Sequence, residues 1–167
     1  ILYFTLAEQS LRSEKVSVNT AQSLKQYILD HCFDFVCLQN ATEPLLEYLK
    51  DFAINNSYFL YATQKHSTKA SISPRKLRDV WLITMSKRKA AAVELLKTDM
   101  NTMQVMQFNN KSEVLCILNG TFPNNIVLKQ KHCKSDEKID LQFEEFKEML
   151  VLVRDRLMHS THWILCG

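Results

Sequence analysis

A chain of 167 residues that is 46% hydrophobic carries enough apolar material for one core, so a single domain over residues 1–167 is expected and two are not. With only 2 glycines and 3 prolines it has neither the P-loop nor the dinucleotide Gly-rich pattern, which excludes a backbone phosphate cradle. The 5 cysteines are odd in number and never spaced Cys-x-x-Cys, which argues against a disulfide framework and a zinc knuckle and for a reducing compartment: cytosol, nucleus or organelle matrix. The longest apolar run is too short to span a bilayer and no secretory signal opens the chain, so no membrane partner is expected. The chain begins and ends inside apolar runs, as a piece of something larger would.

In chain order, Ile1 to Ala7 is apolar and aromatic enough for a buried strand. Asn19 to Cys32 follows as a helix, with Leu24, Tyr27 and Ile28 at helical spacing. Asp34 to Gln39 is a β-rich run closed by Asn40. Thr42-Glu43-Pro44 then opens a helix whose inner face is Leu45, Leu46, Leu49 and Phe52. Ser57 to Thr63 and Asp79 to Met85 read as strands, as do Ala91 to Leu96, Met103 to Phe108 and Ser112 to Leu118. Three strands in succession without a helix predict antiparallel pairing. Asp140 to His159 is a long amphipathic helix that should bury Phe143, Phe146, Leu150, Val153 and Leu157 and expose Glu144, Glu145, Lys147 and Arg154. His162 to Cys166 is the final strand.

A β-α-β opening through Phe33-Asp34-Phe35-Val36-Cys37-Leu38-Gln39, a middle of antiparallel strands, and a long helix feeding Trp163-Ile164-Leu165-Cys166-Gly167 form a specific order of parts. It resembles the endonuclease/exonuclease/phosphatase (DNase I-like) family. There one strand reads roughly aspartate-valine-valine-cysteine-leucine-glutamine-glutamate, and a later one isoleucine-leucine-cysteine-glycine before aspartate-phenylalanine-asparagine. Gln142 also falls where family members often carry a glutamine. The resemblance implies an α/β fold, a mixed β-sheet sandwich flanked by helices, of which this chain holds the first part. Asp34 to Gln39 and His162 to Cys166 are then expected in one central β layer.

Members of this family cleave phosphoesters with a divalent cation, usually magnesium, which needs carboxylate ligands and neutralises charge in the transition state. The family's ligand glutamate falls on Asn40, a neutral amide. Its asparagine after the first strand falls near Ala7, and its threonine-histidine pair near Gly120-Thr121. Its water-activating aspartate would follow Gly167. The catalytic and metal-binding set is therefore missing from these positions, and no cofactor is expected unless the protein is active, when it would be magnesium. Other histidines do not replace it: His31 suits a helix C-terminal cation, His66 and His132 suit loops, and His159 and His162 flank a turn. No serine or cysteine has the setting of a triad nucleophile.

Lys65, Lys69, Arg75, Lys76, Arg78, Lys87, Arg88 and Lys89 are opposed only by Asp79 between positions 65 and 89. Such a segment can hold a nucleic-acid backbone through its phosphates, or be a solvated loop, as the Ser-rich run Ser67 to Ser73 suggests. The loop between the two strands lacks aromatic residues of its own for base stacking. Two functions follow. One is a degenerate domain serving as a binding or structural module, in contact with nucleic acid or within a larger protein assembly. The other is an active magnesium-dependent nuclease or phosphatase whose carboxylates lie beyond Gly167.

Overall fold

The elements run β1 (Leu2–Thr5), α1 (Glu14–His31), β2 (Phe35–Thr42), α2 (Glu43–Asn55), β3 (Phe59–Lys65), β4 (Val80–Ser86), β5 (Ala92–Lys97), β6 (Thr102–Asn110), β7 (Glu113–Gly120), helical residues 147–154 and 156–158, together called α3, and β8 (His162–Cys166). The computed structural model describes residues 2–5, 14–65, 80–98, 102–120, 147–154 and 156–166, without the side chains of 2–5, 14–19 and 65. Ala7, Thr121, His66, His132, Cys133, Gln142, Phe143, Phe146, Glu144 and Glu145 lie outside the described residues, as do Lys69, Arg75, Lys76 and Arg78.

The strands form two four-stranded sheets, β1-β2-β4-β3 and β5-β6-β7-β8. β1 is parallel to β2 and β8 to β7, while the remaining pairs are antiparallel. The expected antiparallel run is the β5-β6-β7 meander. One expectation is corrected. Asp34 to Gln39 and His162 to Cys166 do not share a central layer, because β2 belongs to the first sheet and β8 to the second. Both are strands, so the sequence periodicity identifies them, but the same period holds whichever sheet a strand joins.

Strand alternation sorts the core into three layers of side chains. Val36, Leu38, Ile83 and Met85 face outward from the first sheet and bury Ala21, Leu24 and Ile28 of α1 and Leu45, Leu46, Leu49 and Phe52 of α2. Phe35, Cys37, Met106, Phe108, Ile117 and Cys166 fill the space between the sheets. Met103, Val105, Cys116 and Leu118 face outward from the second sheet against Met149 and Val153 of α3. β2 is thus buried on both faces, which is why it reads as a continuous apolar run rather than an alternating one.

The helices differ from expectation in detail. α1 begins at Glu14, not Asn19, since nothing between them breaks a helix, and Tyr27 lies off its core face, 46% exposed. Thr42 occupies the N-cap of α2 with Pro44 in the first turn, but its side chain makes no capping bond. On α3 the buried positions are Met149 and Val153, with Leu157 partly buried, four residues apart, while Leu150 is exposed at 41%. The predicted stripe is rotated because Leu150, Val151 and Leu152 form an apolar triplet in which periodicity alone cannot select the inward residue. Lys147 and Arg154 are exposed as expected.

Candidate functional site at the ends of the sandwich

The space between the sheets changes chemistry along its length. At one end Phe35 and Phe108 meet edge to face, with ring centres 5.0 Å apart. Cys37, Met106, Ile117 and Cys166 follow in the middle. Toward the end that carries Asn40 the filling becomes polar. Gln39 Nε2 donates to Asn119 Oδ1, and Asn119 Nδ2 donates to the Ile83 carbonyl and to Thr84 Oγ1, each at 3.0 Å. Thr84 Oγ1 in turn donates to Gln104 Oε1 at 2.8 Å, and Gln104 Nε2 donates to Thr63 Oγ1 at 3.0 Å. Gln39, Thr84, Gln104 and Asn119 are all buried, so each would cost free energy without these partners. The chain crosses from one sheet to the other and back, and it closes this end of the interior without ions.

Asn40 sits where β2 departs from regular pairing. Leu38 faces Ile83 and Ala41 faces Trp81, so Gln39 and Asn40 together oppose Leu82 as a β-bulge. Asn40 takes a left-handed φ of 54°, a conformation asparagine tolerates better than most side chains. A glutamate at this position would carry a larger backbone cost. Gly120, the position where the family places its threonine, is also constrained, because a Cβ there would lie 3.3 Å from both Cγ and Cε of Met103.

A divalent cation of the magnesium type needs carboxylate oxygens. Among the described residues, the buried side chains that close this end are neutral amides and hydroxyls, and those of Gln39 and Asn119 already bond to each other. This donor set does not fit magnesium. Among the described residues no group of three or more His, Cys, Asp and Glu converges as a metal site. The Cys37 thiol in mid-sandwich offers no nucleophile either: its hydrogen bond with Cys166, and then burial, hold it far above its ordinary pKa. His31 Nδ1 donates to the Tyr27 carbonyl at 3.0 Å in the last turn of α1, and His159 and His162 are exposed.

Among the described basic residues, the backbone of Lys65 is separated from Lys87, Arg88 and Lys89. Lys65 pairs with Val80, which pairs with Thr42, so the backbone of Lys65 lies at the Asn40 end. Lys87, Arg88 and Lys89 follow Ser86, which pairs with Phe35 at the opposite end, and all three are exposed. The seven residues of β4 separate the two groups by roughly 20 Å.

The polar network escaped sequence reasoning, although it left a trace. Gln104 and Asn119 interrupt otherwise apolar strands at inward positions, and a buried amide must have a partner.

Comparison with solved structures places this architecture. TDP2 of D. rerio complexed with a single-strand DNA product superposes with a TM-score of 0.62 at 15% identity, over 96% of this chain and 56% of that one. An endonuclease/exonuclease/phosphatase family protein of Leptotrichia buccalis gives 0.55 at 11% identity, over 78% and 56%. The human Nocturnin catalytic domain with bound sulfate gives 0.54 at 12%, over 72% and 49%. The chain therefore has the DNase I-like fold of endonucleases, exonucleases and phosphatases: mixed sheets packed as a sandwich between helices. It spans about half the length of those chains. No family model matches the chain, and no curated protein does. Among the described residues no helix is long and apolar enough to cross a membrane.

Proposed function

We infer that this chain is one partial DNase I-like domain that has lost phosphoester hydrolysis and serves as a binding or structural module, with nucleic acid as the ligand of its basic residues. The observation that carries this reading is the neutral Asn40 end. The bulge presents an amide where the family resemblance calls for a carboxylate, and the neighbouring amides are bonded to one another. Without a cation, nothing offsets the charge that gathers on phosphate oxygens in the transition state, which is usually the largest single contribution to such catalysis.

Support for nucleic acid comes from two sides. TDP2 of D. rerio holds a single-strand DNA product on this fold. The chain here leaves β3 at Lys65 and re-enters β4 at Val80, at the Asn40 end, and between them it carries Lys69, Arg75, Lys76 and Arg78. Reduced thiols at Cys32, Cys37, Cys116 and Cys166 support a reducing compartment as its place of work.

The test is a nuclease and phosphatase panel on the intact protein with magnesium and manganese, beside an Asn40→Ala control. Turnover at background is expected in both. Metal-dependent turnover that disappears in the control would establish the rival reading, an active enzyme completed by carboxylates beyond Gly167.

A further inference from the structure

The end of the sandwich opposite Asn40 carries a constellation that the neutral end does not account for. Lys87, Arg88 and Lys89 form an exposed turn directly after β4. Lys87 fastens that turn to the one ending α1. Its backbone N–H donates to the Asp34 carbonyl at 3.0 Å, and its ammonium donates to the Cys32 carbonyl at 3.1 Å and lies 5.9 Å from the centre of the Tyr58 ring. With Lys87 committed to holding the two turns together, Arg88 and Lys89 are the charges presented outward.

The turn so fastened sits at an end of the sandwich where exposed rings stand on both sides of the first sheet, Tyr27 on the side covered by the helices and Phe59, two residues before Tyr61, on the side toward the second sheet. Tyr27 and His31 have ring centres 4.2 Å apart, and His31 stacks on Phe33 at 5.5 Å with their planes 8° apart. This tier stands next to Cys32, whose carbonyl holds Lys87. Within the first sheet Phe59 pairs with Ser86, the residue before Lys87, and is 44% exposed. The basic residues have no aromatic neighbours in sequence, but the fold supplies them from α1 and β3. Lys111, at the β6–β7 turn, adds a cation to this end. Among the described residues, the carboxylates of these turns are Asp34 and Glu113, both exposed, and Asp30, which accepts a hydrogen bond from Gln26 at 2.7 Å.

We propose that this end is a platform for single-stranded nucleic acid, with Arg88 and Lys89 on phosphates and Tyr27 and Phe59 offering ring faces to unpaired bases. Cations alone would accept any polyanion. Exposed rings beside them favour a ligand that has both phosphates and free base faces, which a duplex stacks away and an anionic membrane or acidic peptide lacks. The proposal deepens the nucleic-acid part of the functional reading and does not depend on the loss of catalysis. It places this single-strand contact at the opposite end of the sheet from Lys65, separate from the segment between Lys65 and Val80.

The experiment is fluorescence anisotropy of a labelled oligothymidylate of about 10 nucleotides at about 50 mM salt. Arg88→Glu with Lys89→Glu is expected to weaken binding at least roughly tenfold and to flatten its salt dependence, since fewer counterions are released. Phe59→Ala should weaken it by roughly five- to a hundredfold while leaving the salt dependence unchanged, because only stacking is lost. A duplex of the same length should bind less tightly, and Lys65→Glu should have little effect. Circular dichroism on each variant shows that the fold is intact, and Arg88→Gln with Lys89→Gln stands in should the reversal unfold it. Absence of binding overturns the proposal. So does binding that ignores Phe59 and yields equally to heparin, which would reveal an anion patch only. Loss on Lys65→Glu with no effect of Arg88 and Lys89 would move the contact to the Asn40 end, overturning the platform while leaving the functional reading standing.

Discussion

The two ends of the sandwich handle polar groups in opposite ways. At the Asn40 end, Gln39, Thr84, Gln104 and Asn119 are buried and pair with one another, so their hydrogen-bonding capacity is used inside the protein. At the Phe35 end, Arg88 and Lys89 stay in water beside partly exposed rings. The contrast teaches which polar groups can meet a ligand. A side chain whose partners are internal contributes to folding, whereas one held at the surface by a fastened neighbour remains available. The family resemblance points to the Asn40 end for function, whereas among the described residues the exposed cations Arg88 and Lys89 lie at the other.

Removing the centre of the buried network should break the contrast most visibly. Asn119→Ala strips Gln39 and Thr84 of a partner and removes one donor to the Ile83 carbonyl, so a loss of about 3–5 kcal/mol is expected in a denaturant titration. Arg88→Ala at the other end should change stability by less than about 0.5 kcal/mol. Comparable losses from both would show that the two ends are not different in kind.

Tyr58→Phe probes how firmly the Phe35 end is built. The Tyr58 hydroxyl donates to the Phe33 carbonyl in the turn to which Lys87 fastens the basic turn, and burial pushes its pKa up. Its removal should cost about 1–2 kcal/mol in the same titration. A neutral result would mean that this bond does not hold the turn.

At Asn40 the backbone can be separated from the side chain. Asn40→Gly should be neutral or stabilising by up to about 0.5 kcal/mol, because glycine takes a left-handed φ freely, and Asn40→Val should cost about 1–3 kcal/mol. Equal stability of the two variants would show that the bulge does not depend on this conformation.

The smallest effect belongs to Glu94, which accepts hydrogen bonds from Arg156 Nε at 2.6 Å and Nη2 at 2.7 Å, joining β5 to α3. That bonding holds its carboxyl below the ordinary carboxylate range. The resulting stability is present above the unfolded pKa of about 4.3 and is lost as pH falls through the lower folded value. Because the pair is largely exposed, Glu94→Gln should cost no more than about 0.5 kcal/mol at neutral pH, and the difference from the parent should vanish in acid. A difference that grows in acid would contradict this assignment.

Much of the fold was legible in the sequence because its strands and helices obey their periods. β2 announces itself by a run apolar on both faces, and α2 by Pro44 and the spacing of Leu45, Leu46, Leu49 and Phe52. Which sheet a strand joins is not written in its period, so β8 could not be separated from β2 beforehand. The phase of α3 was hidden by three adjacent apolar residues, of which none is the buried one. The amide at Asn40 is read directly from the sequence, and only the family resemblance sets a carboxylate against it. The platform was not, because Tyr27, Phe33 and Phe59 are distant in sequence from Lys87 and meet it only through the turns that α1 and β4 place side by side.

The neutral end can be tested without any assay of turnover. Titrating the intact protein with manganese while following amide NMR signals reads out paramagnetic broadening around Gln39, Asn40 and Asn119 directly. The account predicts no saturable broadening at these residues, before or after Asn40→Ala. Saturable broadening centred on Asn40 that the substitution abolishes would contradict it, and would place a metal where only amides were expected to stand.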